Sequence, residues 1–145
     1  MKHLALLLIG LVLVAGCSKP GSADRAITVK TEHVSLVRCS LKAGHTADTN
    51  LVSGLQEAAN VLSELYTNSA RLYPGLNGHF RGIMHVEPRG NIRLIMEHGS
   101  QVSPPEAKGI INDFIAATMA DRWSFPRLGD DCFLDVDFEL GKSGP

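Results

Sequence analysis

Phe80-Arg81-Gly82-Ile83-Met84-His85-Val86-Glu87-Pro88-Arg89-Gly90-Asn91-Ile92-Arg93-Leu94-Ile95-Met96-Glu97-His98 is the stretch that decides the fold. Pro88 pre-sets the first turn dihedral and Gly90 accepts the left-handed conformation. Residues 87–91 therefore predict a hairpin loop with a G1 bulge. That turn puts Val86 opposite Ile92, Met84 opposite Leu94, Gly82 opposite Met96 and Phe80 opposite His98, on one apolar face. Arg81 then faces Glu97, and His85 faces Arg93, on the other. A shorter loop on Arg89-Gly90 would mix Val86 with Arg93 and split the apolar set, and one face must be buried. Ile83 and Ile95 are left as a small exposed apolar pair on the polar face. His85 and His98 point to opposite faces, with His98 a half-buried polar cap near Phe80.

Working outward, residues 46–73 predict a long helix. Leu51, Leu55, Ala58, Leu62, Leu65 and Leu72 recur at helical spacing. Asp48 or Thr49 caps its start, and Pro74-Gly75 ends it. Residues 27–41 alternate and are rich in β-branched side chains, so they predict one or two strands. Beyond the hairpin, Ser103-Pro104-Pro105-Glu106 reads as a capping box opening a second helix. Ile111, Phe114, Ile115, Thr118 and Met119 form its buried face. Trp123 anchors the core between helix and sheet, and Pro126 stops the chain's helical run. Leu134, Val136, Phe138 and Leu140 alternate with Asp135, Asp137 and Glu139, a half-buried last strand. Its acidic face lies beside the basic hairpin face if the two pair. The expected fold is α+β and two-layer: two helices packed on one face of a three- to four-stranded antiparallel sheet.

The first segment carries an address rather than fold. Met1-Lys2-His3 is positive, and residues 4–15 are apolar apart from Gly10. A run of about a dozen apolar residues is too short to span a bilayer and suits a signal-peptide core. It meets Val14-Ala15-Gly16-Cys17, the lipobox pattern of bacterial lipoproteins, in which the Cys17 thiol is lipidated and becomes the new N-terminus. Ser18, rather than Asp, favours sorting to the outer membrane, with the domain on its periplasmic face. The expected organisation is a signal peptide at 1–16, a lipidated Cys and short tether at 17–26, one domain at 27–141 and a tail at 142–145. Removing 1–16 takes Lys2 away, so 13 basic residues face 15 acidic ones and the net charge moves from −1 to 13 − 15 = −2. An electrostatic nucleic-acid binder should be clearly basic, so that partner class is excluded.

Cys39 and Cys132 remain after lipidation, and an oxidising periplasm permits a disulfide between them. The loop of 132 − 39 = 93 steps would contribute up to about 4.5 kcal/mol. The histidines show no metal-ligand spacing, and no phosphate-loop or nucleophile motif is present. The acidic residues of the last strand alternate and do not wrap an ion. No metal, no cofactor beyond the lipid on Cys17 and no catalytic constellation are expected.

Three stretches resemble the C-terminal domain of the TonB superfamily, closest to the AgmX/PglI C-terminal group with TolA-like relatives. They are Tyr73-Pro74-Gly75-Leu76-Asn77-Gly78, Val86-Glu87-Pro88-Arg89-Gly90-Asn91-Ile92 and Trp123-Ser124-Phe125-Pro126. The resemblance covers about residues 48–140. It implies a non-catalytic protein-interaction module, and the lipobox and short tether depart from the energy transducers of that superfamily. The expected function is sheet-edge binding of an envelope protein within a transport, secretion or motility assembly. The candidate edge is the last strand or the segment at 27–41; Leu134, Val136 and Phe138 of the last strand are the candidate partner contacts, with Ile83 and Ile95 as a second patch. A homodimer through the sheet edge is a further candidate partner. The alternatives are a pilotin-like chaperone lipoprotein, and a small periplasmic ligand-binding protein or enzyme. The lipobox is tested by feeding labelled palmitate to cells expressing the full chain: label should enter the protein and be lost in Cys17→Ser.

Overall fold

The computed structural model describes residues 27–42 and 48–141. The signal segment, Cys17 and its tether, the turn at 43–47 and the tail at 142–145 lie outside those residues. The elements run β1 (Val34–Lys42), α1 (Thr49–Ala70), β2 (Asn77–Val86), β3 (Ile92–Glu97), β4 (Gln101–Ser103), a 3-10 turn (Pro105–Lys108), α2 (Gly109–Met119) and β5 (Cys132–Leu140).

The Asp48 carboxylate accepts the Leu51 N–H at 2.8 Å and caps α1, which satisfies a donor that a helix start leaves orphaned. Leu51, Leu55, Ala58, Ala59 and Leu62 form its buried stripe. α1 ends at Ala70, short of the expected 73, and Leu72 beyond it is 76% exposed. The chain turns at Pro74-Gly75, with Gly75 at φ +80° and the Leu76 N–H donating to Tyr73 O at 3.1 Å, and the Tyr66 hydroxyl donates to Leu76 O at 2.9 Å.

The architecture is α+β, as expected: the two helices pack against an antiparallel sheet. The sheet has five strands, in the order β1-β5-β2-β3, with short β4 pairing the start of β2. β5 therefore lies between β1 and β2 and is no edge. Leu134, Val136 and Phe138 are fully buried core residues, so they are not partner contacts. An apolar alternation identifies a buried face and says nothing about which strands flank it.

The hairpin register is right at the turn and then slips. Val86 faces Ile92, but His85 faces Leu94, Met84 faces Ile95 and Ile83 faces Met96. A β-bulge at Arg93 inserts one residue and inverts the faces of everything after it. Ile95 is thereby buried at 7% exposure, while Leu94 and Met96 face solvent. The expected Ile83/Ile95 pair does not exist. His98 leaves Phe80 and joins His85 on the outer, solvent face of the sheet, where each meets an aspartate.

The second helix also starts differently. Ser103 belongs to β4, opposite Asn77, and the N-cap position of the 3-10 turn falls one residue later, on Pro104, which has no side-chain acceptor. The 3-10 turn and α2 both start without a side-chain cap bond. Met119 is 48% exposed. Trp123 is the expected anchor: buried, stacked near Phe114, and donating from Nε1 to Thr118 Oγ1 at 2.9 Å. Thr118 Oγ1 in turn donates to Phe114 O at 2.8 Å, so this buried polar pair is satisfied.

The segment after α2 locks onto the hairpin turn. Phe125 N–H donates to Gly90 O, and the Leu128 and Gly129 N–H groups both donate to Pro88 O, each at 2.9 Å. Gly90 has φ +96°, and a Cβ there would sit 1.9 Å from Phe125 O. The Phe125 ring lies over buried Gly54, whose added Cβ would meet Phe125 Cδ1 at 1.8 Å. Helix propensity favours Ala over Gly by about 1 kcal/mol, but overpacking a core costs about 1–3 kcal/mol. Gly54→Ala should therefore destabilise in denaturant melts, and far less so in a Phe125→Ala background, where the ring is absent.

Candidate functional site

Outward residues of β5 meet outward residues of its neighbours. Asp137 is only 7% exposed and lies opposite Arg81. Arg81 Nε donates to its Oδ2 at 2.9 Å, and His79 Nδ1 lies 2.7 Å from its Oδ1. An ionised carboxylate only accepts, so Nδ1 carries the proton. Asp135 takes His98 Nε2 at 3.0 Å and Arg38 Nη2 at 3.5 Å. Asp131 takes His85 Nε2 at 2.8 Å, and the His85 ring stacks on Phe133 with centroids 4.3 Å apart. The acidic strand does lie beside the basic one. Most of these pairs are partly exposed, worth a few tenths of a kcal/mol each. Their larger effect is to hold register, because a one-residue slip breaks them all together.

Beside this polar row lies an apolar one. Leu94 is 51% exposed, Met96 53% and Phe133 38%, with Ile83 half-buried between them. Leu94 and Phe133 flank His85 on its two sides, and Met96 lies across from Ile83. Leu94 and Met96 also belong to β3, the last strand of the sheet on that side. His98 N–H donates to Arg81 O at 2.9 Å, so His98 bonds inward to β2. Antiparallel alternation then turns Met96 and Leu94 toward β2 and the backbone of Ile95 and Glu97 outward. Among the described residues no backbone partner meets those outward groups.

The opposite edge is closed over part of its length. Residues 29–31 fold back along β1: Leu36 N–H donates to Val29 O at 2.9 Å, and Thr31 N–H to Val34 O at 2.7 Å. A bulge at Val37 then breaks the regular ladder. Edge bulges of this kind blunt a strand against further pairing.

Comparison of the chain with family profiles, curated proteins and solved structures gives no match. The site is therefore read from its own chemistry. An open cleft of about 480 Å³ is lined by Asn77, His79, Ser100, Gln101, Ser103 and Lys108. His79 Nδ1 is engaged by Asp137 there, and Ser100 Oγ is held between the N–H and C=O of Arg81. The Ser100 N–H donates to Glu97 and holds that carboxyl below its usual range. Among the described residues no group of three or more His, Cys, Asp or Glu is placed to hold a metal ion. No helix among them is long and apolar enough to cross a membrane.

Of the residues singled out from sequence, Cys17 lies outside the described region. Cys39 and Cys132 are both free thiols. β1 and β5 do pair, but Cys39 lies opposite Val136, which is 136 − 132 = 4 residues from Cys132. Four residues of strand are about 13 Å, beyond the Cα separation of about 7 Å that a bridge tolerates. Leu94 and Met96 were missed; only the bulge at Arg93 brings them outward, and no turn residue marks it.

Burial pushes the Cys39 thiol up to about 12, and the Cys132 thiol to about 11. Both are neutral at pH 7.5, and the thiolate is the reactive form. Folded protein should take up iodoacetamide slowly at both positions. Unfolded protein should gain the same label mass at them with and without reductant. Because burial favours the neutral form, stability is fully present below the ordinary thiol value of 9.0 and falls as pH rises toward these values.

Proposed function

We propose that this chain is a cell-envelope lipoprotein whose domain is a non-catalytic protein-interaction module, binding a partner strand along the outer edge of β3. The observation that carries the reading is the outward backbone of Ile95 and Glu97, unpaired among the described residues, beside exposed Leu94 and Met96. An added strand gains main-chain hydrogen bonds from such an edge and apolar contact from alternate side chains. The lipobox at Cys17 supports anchoring to the outer membrane, on its periplasmic face. The likeness to TonB C-terminal domains supports a binding role within a transport, secretion or motility assembly. Two of the stretches that carry the likeness touch one another, through Phe125 N–H and Gly90 O. Catalysis is disfavoured because the His79 and Ser100 side chains are both engaged in structural bonds.

The test is a photo-reactive amino acid placed in the full chain in cells, at Leu94, at Val37 on the β1 edge, or at Leu72. All three side chains are exposed, so folding is spared. Adducts should form at Leu94 and be scarce at Val37 and Leu72. Equal yields at the three positions overturn the reading.

A further inference from the structure

The geometry points to a second copy of this chain as the occupant of the β3 edge, the two β3 strands running antiparallel about a two-fold axis through Ile95. This rests on the sheet-edge reading above and names its partner. Arg93-Leu94-Ile95-Met96-Glu97 is complementary to its own reverse. With Ile95 opposite Ile95 of the second copy, Leu94 falls opposite Met96 and Arg93 opposite Glu97, twice over by symmetry. Moving the axis to Leu94 sets Arg93 against Ile95. Moving it to Met96 sets Ile95 against Glu97. The central register alone matches apolar with apolar and cation with anion.

The backbone agrees with that register. Ile95 and Glu97 carry the outward groups, so the two Ile95 residues would form a hydrogen-bonded pair. Leu94 and Met96 would then sit at a non-hydrogen-bonded position, where opposing side chains come closest. Their exposed surfaces, 51% and 53%, would cover one another on the outer face, continuous with Ile83 behind them. Growth stops at two copies. The shared surface is isologous and uses both β3 edges, while the β1 edge is occupied by residues 29–31 and broken by the Val37 bulge.

The full chain is expressed in cells as Leu94→Cys, as Met96→Cys, or as both variants together, and oxidised with copper phenanthroline. Co-expression should give a band at twice the chain mass on a non-reducing gel. Either variant alone should give much less, and so should the wild type, which has no cysteine on the β3 edge. As a second arm, Leu94→Glu and Met96→Lys should each abolish self-association by sedimentation, and the double variant should restore it. Both side chains are exposed, and circular dichroism checks that each variant folds. The inference is overturned if co-expression gives no band, if the single variants crosslink equally well, or if the double variant stays a monomer. Photo-adducts at Leu94 with a different protein, without the mixed crosslink, would sink the second copy and leave the sheet-edge reading standing. Loss of both would sink both.

Discussion

β5 arrives last along the chain and takes the centre of the sheet, between β1 and β2. It pairs with β2 from Gly78↔Leu140 to Val86↔Cys132, and with β1 from Val34↔Leu140 to Lys42↔Phe133. Without it the two flanking strands have no contact with each other, and the core beneath loses Leu134, Val136, Phe138 and Leu140 together. The paired aspartates on its outer face fix the same register that its buried face requires. Two independent demands, burial below and charge pairing above, thus agree on one alignment, which is the consistency that makes a sequence specify one structure.

Much of this was legible from residues. The stripe of α1, the Asp48 cap, the Pro88-Arg89-Gly90 turn, the alternation of β5 and the anchor at Trp123 are local patterns with local causes. What escaped depended on neighbours. Strand order was not readable, because a strand of alternating residues looks the same at an edge and in the middle. The bulge at Arg93 was not readable either: the regular register made chemical sense, with Met84 facing Leu94. The capping box failed because Pro104, one residue on, takes the N-cap position of the 3-10 turn. Strand order and the bulge alike are features of pairing between strands, not of any one strand's pattern. The candidate site inherited that error, because the exposed apolar residues lie on the strand whose faces the bulge inverted.

The two sheet margins are treated differently by the same chain. Along β1 the backbone is covered by its own preceding residues and then interrupted. Along β3 the stretch after Arg93 is regular, and it presents Leu94 and Met96 rather than the lysines or prolines that commonly blunt an edge. Two apolar side chains on one exposed strand are a small surface, and single exposed apolar residues are ordinary. Their position beside unpaired backbone is what gives them meaning.

The central place of β5 has a bearing on how the chain is made. Its partners β1 and β2 emerge from the ribosome well before it does; the β2–β3 hairpin can close locally, but β1 cannot join that sheet until residues 132–140 are available. Long-range strand pairing of this sort delays folding until the distant segment arrives. The sequence order therefore leaves the sheet in two parts, a hairpin and a waiting first strand, until the last strand has been made.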